Sequence, residues 1–187
     1  MIHRLTRGSI PAKPHTVHEV DGRLTFEHCL TREGFESVYT IMYHRQPPHW
    51  VESGESLGRH PGWAEAAPLD PLRRAHYLSP RLAAGGTPFG ARRLLFTNPD
   101  VGVWLARPDR DDETLVLNAD GDELTFVHDG AGRVETPLGV VPFARWDYVY
   151  VPKGLPHRWR LDGPAHLMVM ECASSLRVPK QYRSPEG

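Results

Sequence analysis

The sequence has few cysteines, no long apolar run and no excess of charge of either sign. The cysteines, Cys29 and Cys172, lack CxxC spacing, which favours two free, buried thiols over a lone disulfide. Its 22 basic and 23 acidic residues argue against a nucleic-acid partner. No stretch approaches the roughly 18 apolar residues that span a bilayer, and the first residues contain no apolar signal core. These absences predict a cytoplasmic protein with no membrane partner.

Motifs for acyl and phosphoryl transfer are also missing: there is no glycine-rich phosphate loop, serine elbow or cysteine placed beside a base. The sequence instead has 18 prolines and 17 glycines, which divide it into short segments. From about residue 93, runs rich in β-branched and aromatic residues alternate with turn residues, as in "RLLFT", "VGVWLAR", "ETLVL", "ELTFVH", "GRVET", "GVVPF", "DYVYVP", "HRWRL" and "AHLMVMECA". This texture predicts an all-β fold, a small barrel or sandwich.

The predicted barrel covers residues 91–187, and residues 1–90 form an arm that packs on it within one structural unit. The arm begins with an extended stretch and continues with a strand pair. A long loop follows, and "PLRRAHYL" is a candidate short helix with proline at its first turn. Long loops of this kind are often functional.

Two turn signals in the barrel predict two hairpins. The Asp-Gly turn in "DGAG" joins "ELTFVH" to "RVET". The segment "PKGLP" joins "DYVYV" to "HRWRL" and places His157 at the start of a strand, where it can point into the barrel.

A mononuclear iron site that uses dioxygen typically takes two histidines and one carboxylate. Glu123 and His157 could be two such ligands, although no histidine precedes Glu123 in "NADGDELTFVHDGAGRV". The order of Glu, six residues and Gly, followed by Pro-x-Gly-x-x-His, resembles the two motifs of the cupin superfamily. The resemblance implies a cupin-type barrel or jelly-roll.

Nearly the whole chain resembles the N-terminal half of homogentisate 1,2-dioxygenases. The segments that carry this are "RGSIPAKPHT", "EGFESVYTIMYHRQPP", "NADGDELTFVHDGAGRVETPLG", "DYVYVPKGLPHRW" and "VPKQYRSPEG". In that family the iron lies in the C-terminal half, beyond the part that this sequence matches. Against the motif of the catalytic half, Glu123 and His157 match ligands, whereas Val116 stands at the first histidine position. The resemblance therefore implies a metal-free, structural half.

Further donors would be needed for a metal site, because one carboxylate and one imidazole hold Fe(II) weakly. His44 and His49, on either side of "RQPP", are the best candidates for a third ligand; other candidate ligands or pocket residues are His76, Tyr43 and Trp159. The structural alternatives are that Glu123 pairs with an arginine or caps a turn, that His157 is hydrogen-bonded within the barrel, and that Trp159 packs beside it. His128 falls on the opposite face of its strand from Glu123.

Three hypotheses of function follow. The chain could be a homogentisate dioxygenase-like subunit without a catalytic site, which assembles with a separate catalytic cupin or as a homo-oligomer. It could be a small metal-dependent enzyme, a ring-cleaving dioxygenase with Fe(II) that acts on a hydroquinone- or catechol-type aromatic acid. It could also be a metal-free cupin that binds a small molecule or dimerises.

Overall fold

Antiparallel strands make up nearly all of the regular structure in the described part of the chain. The structure is a computed structural model that describes residues 18–31, 34, 39–56, 74 and 76–183. Two units separate between Arg59 and His60. The predicted extended stretch and the middle of the long loop lie outside the described residues. The candidate helix lies partly outside them, and its described residues are not helical.

The first unit holds the strand pair expected near the N-terminus. Its strands are β1 (Glu19–Val20), β2 (Arg23–Leu24), β3 (Phe26–Thr31) and β4 (Tyr39–His44). β1 pairs with β2 across Asp21 and Gly22, whose positive φ angles of 54° and 70° form the tight turn. β3 pairs with β4 along its full length. The predicted pairing is therefore confirmed.

The described residues of the second unit form eight strands in two antiparallel sheets. They are β5 (Arg93–Thr97), β6 (Val101–Ala106), β7 (Asp122–Asp129), β8 (Gly132–Thr136), β9 (Gly139–Phe143), β10 (Tyr148–Val151), β11 (Arg158–Leu161) and β12 (His166–Cys172). The larger sheet has the order β10-β7-β12-β6-β5, and the smaller has the order β11-β8-β9. In the described part of this unit, single turns of 3-10 helix at Ser79–Arg81 and Lys180–Tyr182 lie outside the sheets.

Alternating burial along the strands of both sheets forms the core of this unit. In β7, Glu123, Thr125 and Val127 are buried, whereas the side chains between them are less so. This is the period of two expected when one face of a strand packs inward. The smaller sheet contributes Trp159 and Phe143, whose rings meet edge to face at 5.0 Å. The predicted all-β, cupin-type fold is confirmed.

Both predicted hairpins are wrong, although the strands themselves are present. β7 lies in the larger sheet and β8 in the smaller, and β10 and β11 are divided in the same way. The segments "DGAG" and "PKGLP" are corners at which the chain passes between sheets. Gly130, at the first corner, has φ of 102°. A Cβ atom there would lie only 2.8 Å from the Cβ of Ala165.

Two further outcomes concern single segments and side chains. The run "ETLVL" contributes only an isolated bridge at Val116 rather than a strand.

Both cysteines are free, as expected, and Cys172 is buried, but Cys29 is exposed. Cys29 lies in the two-stranded β3–β4 sheet, and a sheet of two strands buries little side-chain surface by itself. Among the described residues, no helix is long and apolar enough to cross a membrane.

Candidate functional site

The motif positions identified in the sequence come together inside the barrel unit. Val116 and His157 form an antiparallel bridge, with backbone N–H···O distances of 2.7 and 2.9 Å. His157 is 1% exposed and Glu123 is 1% exposed. His157 therefore points inward, as the sequence predicts. The aliphatic Val116 lies opposite it, at the position of the missing histidine.

Arg92 donates a hydrogen bond to each of the two carboxylate oxygens of Glu123. Its Nη1 donates to Oε1 at 3.1 Å and its Nη2 donates to Oε2 at 2.7 Å. The side chains of Arg92 and Glu123 are only 6% and 2% exposed. This is a bidentate, charge-assisted ion pair, the strongest geometry available to an arginine and a carboxylate. The guanidinium supplies the positive charge that balances the buried glutamate.

The pKa of Glu123 reflects this partner. Burial by itself would raise it, but the charge and hydrogen bonds of Arg92 outweigh burial and lower the pKa to about 2. A hydrogen bond from Asn118 and the charge of His157 act in the same direction. Glu123 is therefore an ionised, acceptor-only group at neutral pH.

A second buried glutamate extends the network. Glu171 on β12 lies directly opposite Glu123 on β7, and it is 2% exposed. The amide nitrogen of Asn118 donates to Glu123 at 3.0 Å and to Glu171 at 2.6 Å. The amide oxygen of Asn118 accepts from the backbone N–H groups of Asp120 and Gly121. The amide nitrogen of Asn118 thus bridges two neighbouring carboxylates, while its amide oxygen is fixed by the backbone of the following turn.

The hydrogen bond of His157 defines its tautomer. Its Nδ1 lies 3.1 Å from the carbonyl oxygen of Leu155. Because a carbonyl oxygen can only accept, Nδ1 must carry the proton in this bond. In the neutral ring Nε2 is then an acceptor, as it would have to be in a metal ligand.

The described residues nevertheless do not fit a divalent metal. Glu123 already receives two hydrogen bonds from a cation, and a metal beside it would face the buried charge of Arg92. In the part of the chain that the structure describes, no three or more His, Cys, Asp or Glu side chains are grouped to hold a metal ion. Glu123 and its neighbours therefore form a buried ion-pair network rather than a metal centre of two histidines and one carboxylate. Ligation by Glu123 and His157 stays a prediction.

The remaining candidate residues are divided between the two units. Trp159 is 2% exposed and packs in the barrel core. His44 and Tyr43 lie on β4 in the first unit, where His44 Nε2 is 3.2 Å from His28 Nδ1 and the Tyr43 ring is 4.1 Å from that of His18. His49 and His76 are exposed. Burial lowers the pKa of His44, and His28 adds to this effect.

Reasoning from the sequence missed Arg92, Asn118 and Glu171. Pairing of Glu123 with an arginine was one of its structural alternatives, but the arginine was not identified. Arg92 immediately precedes β5, next to the outward-facing Arg93. A local signal was present for Glu171, since it stands in "LMVMEC" at a position where alternation places apolar residues inward.

Comparison with known proteins gives sequence relatives among dioxygenases. A Saccharolobus solfataricus protein named "Putative dioxygenase" is 30% identical over 191 residues, which cover 100% of this chain and 48% of the relative. Homogentisate 1,2-dioxygenase of Pseudomonas putida KT2440 is 27% identical over 148 residues, 75% of this chain and 34% of that enzyme. The chain thus spans less than half the length of these curated relatives. No protein-family model matches.

Solved structures similar to the chain include cupins. A cupin protein from Bacteroides fragilis is 10% identical, with a TM-score of 0.46 over 62% of this chain and 97% of that one. A Bacillus halodurans protein is 19% identical, with a TM-score of 0.45 over 58% and 88%.

The two-sheet fold is of the cupin type, and the sequence motifs resemble those of cupins. More particularly, its sequence is similar to a putative dioxygenase and to homogentisate 1,2-dioxygenases.

Proposed function

We propose that this chain is a metal-free cupin unit of a homogentisate dioxygenase-like protein. It supports a second, iron-bearing cupin, in which oxidative ring cleavage of a hydroquinone- or catechol-type aromatic acid takes place. The second cupin lies on a separate subunit or on a further part of the same protein. The observation that carries the proposal is the buried Arg92–Glu123 pair, because it places a fixed cation against the carboxylate that would otherwise bind the metal.

Two further observations support the proposal. Val116 lies beside His157, so the position that would supply a second imidazole has an aliphatic side chain. The curated relatives are more than twice as long as the part that this chain matches, which leaves room in them for a second unit of similar size. Both points agree with an arrangement in which one cupin is structural and a second cupin is catalytic.

The experiment is anaerobic loading of the purified chain with Fe(II), followed by desalting and measurement of iron by mass spectrometry. We expect no stoichiometric iron and no homogentisate-dependent oxygen uptake by the chain alone. The Glu123→Gln and His157→Gln variants, measured in parallel, should give the same iron content as the unmodified chain. About one iron per chain, lost in both variants, would overturn the proposal and establish a metal-dependent enzyme.

The supporting role is tested by adding the partner. Oxygen uptake with homogentisate should appear when the chain is purified together with a second cupin that carries bound iron. The same second cupin without this chain should be less stable to heat, because binding of a partner to the folded state stabilises that state. Equal activity and stability with and without the chain would contradict the supporting role.

A further inference from the structure

A cavity of about 300 Å³ lies at one end of the barrel unit. Its lining comes from the ends of β6, β7 and β12 and from the segment before β10, whereas Glu123 and Glu171 pair at the other end of the same strands. The charged and titratable side chains that line it are Arg107, His128, Asp129, Arg145 and His166. None of these belongs to the network around Glu123.

Arg107 and Arg145 are held in place by contacts with neighbouring residues. Nη1 of Arg107 donates to the carbonyl oxygens of Pro80 and Leu82, both at 2.6 Å. The guanidinium of Arg145 stacks over the Trp146 ring at 4.5 Å and lies 3.9 Å from the carboxylate of Asp129. A positioned guanidinium loses less freedom on binding a ligand than a free one does.

The two histidines form the other side. Their rings meet edge to face, with centroids 4.8 Å apart. His128 is exposed, whereas His166 is only 8% exposed, and its Nε2 is buried without a hydrogen-bond partner in the described part of the chain. Burial of such a nitrogen costs free energy unless a hydrogen-bond partner is supplied.

The charges that face the cavity are positive on balance. Two arginines outnumber the single carboxylate, even when both histidines are neutral. Burial lowers the pKa of His166, and the charges of His128 and Arg107 lower it further, while Asp129 opposes them. The site therefore disfavours an additional positive charge and favours a negative one.

We propose that this cavity binds a small oxyanion, the carboxylate or phosphate group of a metabolite, between Arg107, Arg145 and the His128–His166 pair. Arginine forks match the planar or tetrahedral oxygens of such groups. The volume accommodates a small molecule that carries the group rather than the isolated ion alone. The inference is independent of the metal content of the barrel.

The test is an NMR titration of the full chain with inorganic phosphate and, separately, with acetate, at constant ionic strength. The ring signals of His128 and His166 should shift together and saturably, with chloride as the reference anion. The probe that binds more tightly identifies the source of the oxyanion. Arg145→Gln and His128→Gln should each weaken binding by roughly threefold to fivefold, the effect expected for an exposed charge or polar partner.

Arg133→Gln is the matched control. Arg133 is 49% exposed and pairs with Glu135, much as Arg145, 59% exposed, pairs with Asp129. Its loss should leave the affinity unchanged. Equal weakening in the control, or signals of the two histidines that do not saturate with either probe, would overturn the proposal.

Discussion

At the scale of single residues, the buried Arg92–Glu123 ion pair is sensitive to the loss of either partner. Two ions taken out of water interact favourably only when their geometry is good and their other hydrogen bonds are satisfied. Arg92 and Glu123 meet the first condition with contacts of 3.1 and 2.7 Å, and Asn118 helps with the second. Removing one partner alone should therefore be far more harmful than removing both.

The first prediction is a double-mutant comparison. Arg92→Met should lower the free energy of unfolding by about 3–5 kcal/mol, because it leaves Glu123 buried without its cation. Arg92→Met combined with Glu123→Leu should recover most of this loss, since two apolar groups can pack against each other. Urea unfolding of the three proteins measures both effects. A double variant as unstable as the single one would contradict the pairing.

The second prediction concerns acid. The folded pKa of Glu123, about 2, is below its ordinary value of 4.5, so its contribution is complete above the ordinary pKa and is lost as pH falls toward the folded pKa. Stability should therefore decline between about pH 5 and about pH 2, and the decline should be smaller in Glu123→Gln. The lowered pKa of Glu135, caused mainly by its hydrogen bond with Arg158, contributes equally in both proteins. Identical pH profiles would count against the assignment.

The third prediction separates the two thiols. Burial raises the pKa of Cys172, with Asp122 and Glu171 adding to the effect, whereas Cys29 is exposed. A maleimide should label Cys29 in the native protein and reach Cys172 only after unfolding. Native Cys29→Ser should therefore remain unlabelled, as intact mass will show, and rapid labelling of that variant would be inconsistent with a buried Cys172.

At the scale of elements, close packing between strands limits which residues the smaller sheet accepts. Gly132 begins β8, and a Cβ atom there would overlap the carbonyl oxygen of Arg160 on the neighbouring β11. Its φ of 159° lies at the edge of the region that favours glycine. The obstruction comes from backbone, which cannot move aside as a flexible side chain would.

The fourth prediction follows from this contact. Gly132→Ala should destabilise the protein by about 2–4 kcal/mol, because the two strands must separate or bend. Gly163→Ala is the control, since a Cβ atom at Gly163 would meet nothing within 4 Å. The control should stay within about 0.5 kcal/mol of the unmodified protein in thermal unfolding. Equal stability of the two variants would show that β8 and β11 are not packed as described.

The elements also show what local sequence can and cannot determine. Alternation and turn residues were enough to locate β5 to β12, because both are properties of consecutive residues. They do not determine which strands pair with one another, because "DGAG" can either close a hairpin or carry the chain from one sheet to the other. At this corner Gly130 packs closely against Ala165, a residue distant from it in sequence. The same limit explains why Arg92 could not be assigned to Glu123, 31 residues away.

At the scale of the whole molecule, the eight barrel strands pair only with one another among the described residues. The segment before β5 is nevertheless tied to them. Gly85 donates to the carbonyl oxygen of Arg107, and Phe89 donates to the carboxylate of Asp112. Pro88 is among the fully buried side chains. A stable barrel should therefore need residues on the N-terminal side of the sequence-based boundary at residue 90.

The fifth prediction compares two fragments, 60–187 and 91–187. The longer should unfold cooperatively and retain the Arg92–Glu123 network. The shorter keeps that pair but loses the carbonyl oxygens of Pro80 and Leu82 that hold Arg107. Its melting temperature should be lower by roughly 10 °C or more, as expected when a small domain loses a few kcal/mol. Circular dichroism measures both, and equal melting temperatures would place the boundary of the folding unit at residue 90.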